Sequence, residues 1–237
     1  MDQQQTIELW ERCEAARAKA RAEAQAAGKA KDDAETLAHE AAKAVWNGWA
    51  EQMLAKRKAL EEAGEWAAEK DLAGDLEAKN EVTRDWMAEA SVDFSNARFL
   101  CEAFAHQQKP RVGEGQEESQ HADDPLVKSI SVEGDSVRFD GFIFPGRADF
   151  ESAQFSGRAD FESAQFSGRA DFESAQFSGD AGFGSAQFSG DADFESAQFS
   201  GDADFVSAQF SGDAGFGSAQ FSGDADFESA QFSGDAW

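Results

Sequence analysis

The chain has 237 residues and a formal net charge of −26, because 47 Asp and Glu outnumber 21 Lys and Arg. Such a charge opposes direct binding to nucleic acids and to anionic membrane surfaces, since both require protein cations close to phosphate. Catalytic side chains are scarce: there are three His (His39, His106 and His121), two Cys and no Tyr. The 22 Phe against six Trp indicate that one apolar ring recurs in a repeat.

The cysteines and the N-terminus indicate the compartment. Cys13 and Cys101 are far apart in the sequence and form no paired metal motif or disulfide framework, so both are predicted to be free thiols in a reducing cytosol. The first residues, MDQQQTIELW, lack the basic start and apolar run of a signal peptide. No stretch approaches about 18 apolar residues. We expect a cytoplasmic protein without membrane contact, cofactor or metal.

Residues 1–106 are predicted to form an α-helical domain, either a hairpin or a small bundle. Between residues 6 and 105 the chain has no Pro and is rich in Ala, Glu, Lys and Arg, which favour helices. Breaks are expected at Gly64 and at Gly74-Asp75. The packing face of the central helix is predicted to consist of Leu37, Ala41, Val45, Trp49, Met53 and Leu60. A last helix is predicted to carry Val82, Trp86, Ala90, Phe94, Ala97, Cys101 and Phe104.

A polar segment separates this region from the rest. Residues 107–126 include Pro110 and Pro125 and hardly any apolar side chains, so they are predicted to be a disordered linker. The next region, 127–237, begins with Val127, Ile130, Val132 and Val137 among small polar residues. This pattern predicts a short strand over about 127–137 that caps the region.

An 11-residue repeat fills the remainder of the chain. Residues 147–157 read RADFESAQFSG, 158–168 and 169–179 are identical to them, and the later units keep the frame. Spacings between Phe alternate between five and six, which fits neither a helix nor a long strand. Locally, each Phe ends a triplet of Ala, a polar residue and Phe, so Ala and Phe share one side. The predicted core comprises Phe139, Phe144, Phe150, Phe155, Phe161, Phe166, Phe172, Phe177, Phe183, Phe188, Phe194, Phe199, Phe205, Phe210, Phe216, Phe221, Phe227 and Phe232.

Short triplets separated by turns predict a β-solenoid whose coils stack about 4.8 Å apart. Two coil geometries are compatible with the spacing. In one, two successive repeat units form a coil with four faces. In the other, a single unit forms a flat coil with two faces. The first gives a rod of about 20 Å and the second a rod of about 43 Å.

The triplets, read as A-[DQ]-F-x-x, resemble the pentapeptide-repeat family. The resemblance covers roughly residues 136–237 and implies a right-handed quadrilateral β-helix with Phe and Ala inside. Every second unit of five has one additional residue, such as Arg147, Arg158, Asp180 and Asp191, so four faces would take two residues more than four regular five-residue units. The predicted fold class is therefore α+β, with an N-terminal helical segment followed by this solenoid.

The outward positions of the repeat are predicted to form an acidic interaction surface. With two repeat units per coil, Asp149, Asp171 and Asp193 stack on one face, and Asp204 lies below Asp226 on another. Asp191-Ala192-Asp193 and its copies suggest calcium, but the spacing of known calcium-binding repeats is missing, so no metal site is predicted. A solvated surface that keeps the rod apart from other chains is the simplest interpretation of these carboxylates. A strip that binds a basic protein is the functional interpretation.

Three classes of function follow. The preferred prediction is a non-enzymatic scaffold that binds a protein partner or a second copy of itself, and not nucleic acid directly. The resemblance implies an alternative, a DNA mimic that modulates DNA gyrase or another topoisomerase. A helical-region enzyme is the third, but no nucleophile, base and acid set is visible there. Because the chain stops within a unit at Trp237, we expect either a truncated fragment or an end that pairs with a second copy.

Overall fold

The computed structural model describes residues 1–70, 76–104 and 128–237. The predicted linker at 107–126 and the predicted break at Gly74-Asp75 lie outside these residues. The N-terminal part contains three helices and a two-stranded antiparallel ribbon. In chain order these are α1 (Gln3–Ala26), α2 (Lys31–Glu62), β1 (Ala68–Lys70), β2 (Leu76–Ala78) and α3 (Glu81–Ala90).

Helices α1 and α2 form the hairpin that the sequence predicts. Only residues 27–30 connect them, and such a short connection makes the helices antiparallel neighbours. Arg21 of α1 donates from Nε to Glu35 Oε1 of α2 at 2.7 Å. Helix α2 ends just before Gly64, whose φ of +69° is typical of the glycine that follows a helix.

The packing face predicted for α2 is wrong by one position. The buried apolar residues are Ala34, Ala38, Ala42, Trp46 and Ala50, and His39 is buried beside them, whereas Leu37 is 42% exposed. Small side chains allow the helix backbone to lie close to its neighbours, and the single large apolar residue, Trp46, fills the space that remains. The larger apolar residues of the predicted face therefore lie at the margin of the contact.

The predicted last helix is also wrong beyond Ala90. Helix α3 ends there, and the chain continues as β3 (Val92–Asp93), β4 (Arg98–Cys101) and a 3-10 turn over Glu102–Phe104. Strand β3 pairs with β8 (Ala148–Asp149), and β4 pairs with β9 (Gln154–Phe155). The solenoid therefore begins before residue 106, and the predicted domain boundary divides its first coil.

The solenoid has four faces, so the two-sided alternative is wrong. Strands pair in parallel with partners two repeat units away, as Ala148 does with Ala170 and Gln154 with Gln176. Two faces carry Ala-Asp strands and two carry Gln-Phe strands, in alternation along the chain. We call them the first Asp face, first Gln face, second Asp face and second Gln face.

The strands of each face are as follows. The first Asp face contains β3, β8, β12 (Ala170–Asp171), β16 (Ala192–Asp193) and β20 (Ala214–Gly215). The first Gln face contains β5 (Ser129–Val132), β4, β9, β13 (Gln176–Phe177), β17 (Gln198–Phe199) and β21 (Gln220–Phe221). The second Asp face contains β6 (Ser136–Arg138), β10 (Arg158–Asp160), β14 (Ala181–Gly182), β18 (Ala203–Asp204) and β22 (Ala225–Asp226). The second Gln face contains β7 (Ile143–Phe144), β11 (Gln165–Phe166), β15 (Gln187–Phe188), β19 (Gln209–Phe210) and β23 (Gln231–Phe232).

Stacked phenylalanine rings form the core of the solenoid. The predicted core residues from Phe139 to Phe210 are at most 1% exposed. Rings one coil apart lie parallel, as in Phe150 and Phe172, whose centroids are 4.9 Å apart with an interplanar angle of 0°. The last coil differs from the prediction: Phe232 is 40% exposed, and Phe216, Phe221 and Phe227 are partly buried, because they lie in the last coil that the structure describes.

The N-terminal end of the solenoid is covered by the helical hairpin together with β5. Trp10 of α1 and Trp46 of α2 belong to the same buried cluster as Phe94, Phe99 and Phe139. The indole Nε1 of Trp46 donates to the carbonyl of Ile143 at 2.8 Å. The strand predicted over 127–137 thus contributes only part of the cap. No helix among the described residues has the length and hydropathy needed to cross a membrane.

Candidate functional site

Two ladders of acidic side chains lie on opposite sides of the solenoid. The register stacks Asp149, Asp171 and Asp193 on the first Asp face and Asp204 with Asp226 on the second, as a coil of two repeat units requires. The two Asp faces are opposite because a Gln face follows each of them along the chain. These five residues therefore have the predicted positions, and their role in binding stays a prediction.

Arginines neutralise the ladders in the N-terminal part of the repeat. Arg147 Nη2 lies 3.0 Å from Asp149 Oδ2 and 2.8 Å from Asp171 Oδ2. Arg169 Nη2 lies 3.4 Å from Asp171 Oδ2 and 3.0 Å from Asp193 Oδ2. Burial raises the pKa of Asp149, and the positive charge of Arg147 opposes that rise. Residues 139–179 hold seven acidic side chains against three Arg, a net charge of −4.

Aspartates replace these arginines from residue 180 onward. Residues 180–237, which we call the distal segment, hold eleven acidic residues and no Lys or Arg. At four corners, those of Asp180, Asp191, Asp202 and Asp213, the carboxylate accepts the backbone N–H of the corner residue in the next coil, as Asp191 Oδ1 does from Asp213 N at 2.9 Å. These aspartates hold neighbouring coils together while adding negative charge. The acidic surface is therefore concentrated on the distal segment.

Asp204 and Asp226 are the two predicted residues that carry this charge without a cation. No ion pair to either of them occurs within the described parts of the chain. Each uses Oδ1 to accept a backbone N–H two residues ahead, from Val206 at 2.8 Å and from Glu228 at 2.7 Å. One oxygen of each carboxylate thus fixes the local turn, and the side chain remains exposed.

A cluster of three carboxylates has the spacing of a cation site. Ligand atoms of Asp171, Glu173 and Asp193 all lie within 4.8 Å of one another. Burial, followed by the charges of Asp193 and Asp171, raises the pKa of Glu173. Arg147 and Arg169 already contact two of the three carboxylates, and positive charge at that place opposes a metal ion. The cluster is accounted for by its ion pairs.

The junction between hairpin and solenoid holds a buried polar contact. His39 Nε2 lies 3.0 Å from both the carbonyl oxygen and Oδ2 of Asp140. Burial by itself would raise the pKa of Asp140, but hydrogen bonds from His39 and Arg138 lower it to about 2. Of the three His, His106 and His121 lie outside the described residues. His39 is therefore structural, since it ties α2 to the first coil.

Both cysteines are free and buried. Burial raises the pKa of Cys13 to about 12 and also raises that of Cys101. Because the thiolate is the reactive form of cysteine, these two thiols are inert packing groups at neutral pH.

The repeat pattern begins earlier than the sequence analysis recognised. Residues 92–99 read VDFSNARF, which places Phe94 and Phe99 five apart as in the later units. Asp93 pairs in register with Asp149 and extends the first Asp ladder. Asn96 has a φ of +55°, the same left-handed conformation as Ser152 and its equivalents in each later unit. The Phe spacing was the signal that would have identified this coil.

Comparison with known proteins gives one match. The family of pentapeptide repeats (nine copies) matches residues 139–187, 172–220 and 183–231. No curated protein and no solved structure matches the chain. The matched residues form the four-sided coils described above, with Phe and Ala inside and parallel strands paired from one coil to the next. The solenoid of this chain therefore belongs to the family of pentapeptide repeats.

Proposed function

We propose that the chain is a non-enzymatic scaffold whose distal segment binds a basic surface on a partner protein. The observation that carries this proposal is the absence of Lys and Arg from residues 180–237, which hold eleven acidic residues. In the preceding coils the same corner positions hold Arg147, Arg158 and Arg169. The rod thus becomes more negative from residue 180 onward, and a cationic partner would be attracted to the distal segment.

The solenoid supports this role because it fixes the charges in advance. Parallel ring stacks such as Phe183 on Phe205, at 4.9 Å, hold consecutive coils at one spacing. Backbone ladders do the same, for example Ala203 N to Asp224 O at 2.8 Å. A surface that is already ordered loses little conformational entropy when it binds. The acidic side chains can therefore act as a regular array.

The test is a comparison of two charge variants in a pull-down from cells that contain the natural partners. The rod variant carries Asp→Asn at Asp191, Asp204, Asp213, Asp226 and Asp235. Asn retains the side-chain oxygen that accepts a backbone N–H at Asp191, Asp204, Asp213 and Asp226, so the coils should remain intact. The control variant carries Gln in place of Glu8, Glu23, Glu40, Glu51 and Glu62, which lie on α1 and α2.

We expect the rod variant to lose partners that the intact chain and the control variant both retain, and raised salt to weaken their retention. Equal retention by the two variants would refute the proposed surface. Sedimentation in low and high salt tests a second copy as the partner. Like charges on two distal segments should keep the chain monomeric in low salt if the partner is a different protein.

The alternative function is mimicry of DNA, known among pentapeptide-repeat proteins that bind DNA gyrase. The observation that favours it is the pair of Asp ladders on opposite faces, which places regular negative charge on two sides of one rod. The arginines of residues 139–179 reduce that charge in three of the eight complete repeat units. A gyrase supercoiling assay tests it, and unchanged supercoiling at micromolar protein would eliminate this alternative.

A further inference from the structure

A cavity lies between the helical part and one corner of the solenoid. Its volume is about 350 Å³, which is within the range of about 300–1,000 Å³ that is typical of small-molecule sites. One wall consists of equivalent corners of three consecutive coils: Pro145 to Arg147, Ser167 to Arg169, and Ser189 to Asp191. The opposite wall is formed by residues of α2, α3 and the ribbon of β1 and β2.

The charge of this cavity is opposite to that of the whole chain. Its described lining includes Arg57, Lys70, Arg147 and Arg169, and one acidic residue, Asp191. Cations are few in a chain with a net charge of −26, so their convergence from different elements sets this cavity apart from the rest of the surface. Carboxylates behind the wall hold some of these cations in place.

Arg147 is anchored in a way that leaves donors for a ligand. Its described ion pairs, to Asp149 and Asp171, both use Nη2, whereas a guanidinium has five N–H donors. Its side chain is 45% exposed. Two carboxylates on one nitrogen fix the orientation of the group, and the remaining N–H groups can donate to an oxyanion.

The wall of the cavity formed by the helices and the ribbon adds an apolar surface. The guanidinium of Arg57 stacks on Trp66, 4.7 Å from the ring centroid, and contacts Trp86 at 5.7 Å. It also pairs with Glu61 at 2.9 Å. Leu76, Trp86 and Met87 complete the apolar lining. The cavity therefore has a cationic side at the solenoid corner and an apolar side at the helices.

We propose that this cavity binds a small organic anion. Its phosphate or carboxylate group would lie against Arg147 and Lys70, and its apolar or aromatic body against Trp86 and Leu76. This site meets the distal segment at Ser189 to Asp191, but its cations lie outside that segment, so the binding of a partner protein to the distal carboxylates does not depend on it.

The test is calorimetric titration of the intact chain with phenyl phosphate and with inorganic phosphate. The repeat provides a matched control, because Arg158 occupies the same place in an identical 11-residue unit. Half a coil separates it from Arg147, so it lies at the opposite corner of the solenoid, away from the cavity. We would compare Arg147→Gln and Lys70→Gln with Arg158→Gln, and confirm by thermal unfolding that each variant folds.

We expect one phenyl phosphate to bind per chain, with a dissociation constant below about 1 mM, and inorganic phosphate to bind more weakly. Arg147→Gln and Lys70→Gln should each weaken binding by about tenfold, and Arg158→Gln by less than about twofold. No saturable binding at about 10 mM ligand would overturn the proposal. So would equal weakening by Arg147→Gln and Arg158→Gln, which would show a diffuse charge effect. Equal affinity for phenyl phosphate and inorganic phosphate would refute the proposed contact of the ligand's apolar body with Trp86 and Leu76.

Discussion

The spacing between coils depends on glycines at the corners of the solenoid, and Gly179 provides a direct test. A Cβ atom added at Gly179 would lie 2.7 Å from the carbonyl carbon and 2.8 Å from the carbonyl oxygen of Gly157 in the preceding coil. Ordinary contacts between carbon atoms are about 3.5–4.0 Å. A Gly179→Ala variant must therefore move the two backbones apart by about 0.8 Å.

That displacement would loosen the packing between the two coils and weaken the hydrogen bonds between them. Inserting one methyl group into a close-packed contact costs about 1–3 kcal/mol. The bonds on either side of the corner, Ser178 N to Phe155 O and Ala159 N to Asp180 O, are both 2.9 Å long, and loss of one contributes about 1 kcal/mol. The expected loss in free energy of unfolding is about 2–4 kcal/mol.

The assay is urea unfolding followed by circular dichroism, and the control is Gly182→Ala in the same coil. A Cβ atom at Gly182 would meet only Asp160 Oδ1 at 3.6 Å and Arg158 Nη2 at 3.7 Å. The control should be neutral or more stable by up to about 1 kcal/mol, because Ala restricts the unfolded chain. If both variants lost the same stability, or if Gly179→Ala lost none, close approach at the corners would not set the coil spacing.

Three further predictions concern the core, the turns and the junction. Phe183→Ala should lower the free energy of unfolding in urea by about 3–5 kcal/mol. Phe232→Ala removes a ring that is already 40% exposed and should lower it by under about 1.5 kcal/mol. Similar losses for the two variants would contradict the role of ring stacking. Ser174 has a φ of +56°, a conformation that Asn adopts readily and a β-branched residue does not. Ser174→Val should therefore lower the melting temperature, and Ser174→Asn should not. Equal shifts in melting temperature would contradict backbone strain as the cause. Because the folded pKa of Asp140 is about 2 against an ordinary 3.8, its stabilisation of about 2 kcal/mol is present above pH 4 and lost as the pH falls toward 2. Asp140→Asn should flatten stability over that interval, and an unchanged acid profile would contradict the assignment.

The repeat could be predicted because one physical requirement recurs in every unit. Ala and Phe must point inward at fixed intervals, and the alternation of five and six residues between rings leaves few coil geometries. The sequence could not choose between two and four faces, because both geometries turn every Ala and Phe of the triplets inward. The register of Ala148 with Ala170 decides it, since a two-sided coil would pair residues in adjacent repeat units.

The first coil was missed because its residues satisfy two patterns. Trp86, Ala90, Phe94 and Ala97 follow one another at steps of three or four, which is typical of a helix face, while Phe94 and Phe99 follow the repeat. The helix ends at Ala90 because Phe94 and Phe99 are more fully buried as members of the ring stacks, where both are 0% exposed. The contact between the hairpin and this coil could not be read from either segment alone.

The position of the candidate surface could be predicted from the sequence, but its local net charge could not. Stacking of Asp149 on Asp171 follows from the coil length, yet the bridging of both by one nitrogen of Arg147 depends on side-chain geometry. The ladder is therefore much less anionic there than its sequence suggests, and the distal segment differs because its corners carry aspartates.

The units of the solenoid vary almost entirely at positions that do not affect the core. From residue 147 onward, every complete unit keeps Ala, Phe, Ala and Phe at its inward positions, whereas Arg or Asp, Asp or Gly, and Glu, Gly or Val occupy the outward ones. The inward residues and the corner glycines, which every complete unit keeps, set the coil spacing, since they make the ring stacks and permit the close approach of neighbouring coils. Surface charge can therefore change along the rod without changing its shape, and the change from Arg169 to Asp180 does this within half a coil. A rigid frame with a variable exterior fits a binding role, because the frame sets where the charges lie and the outward residues set which partner they attract.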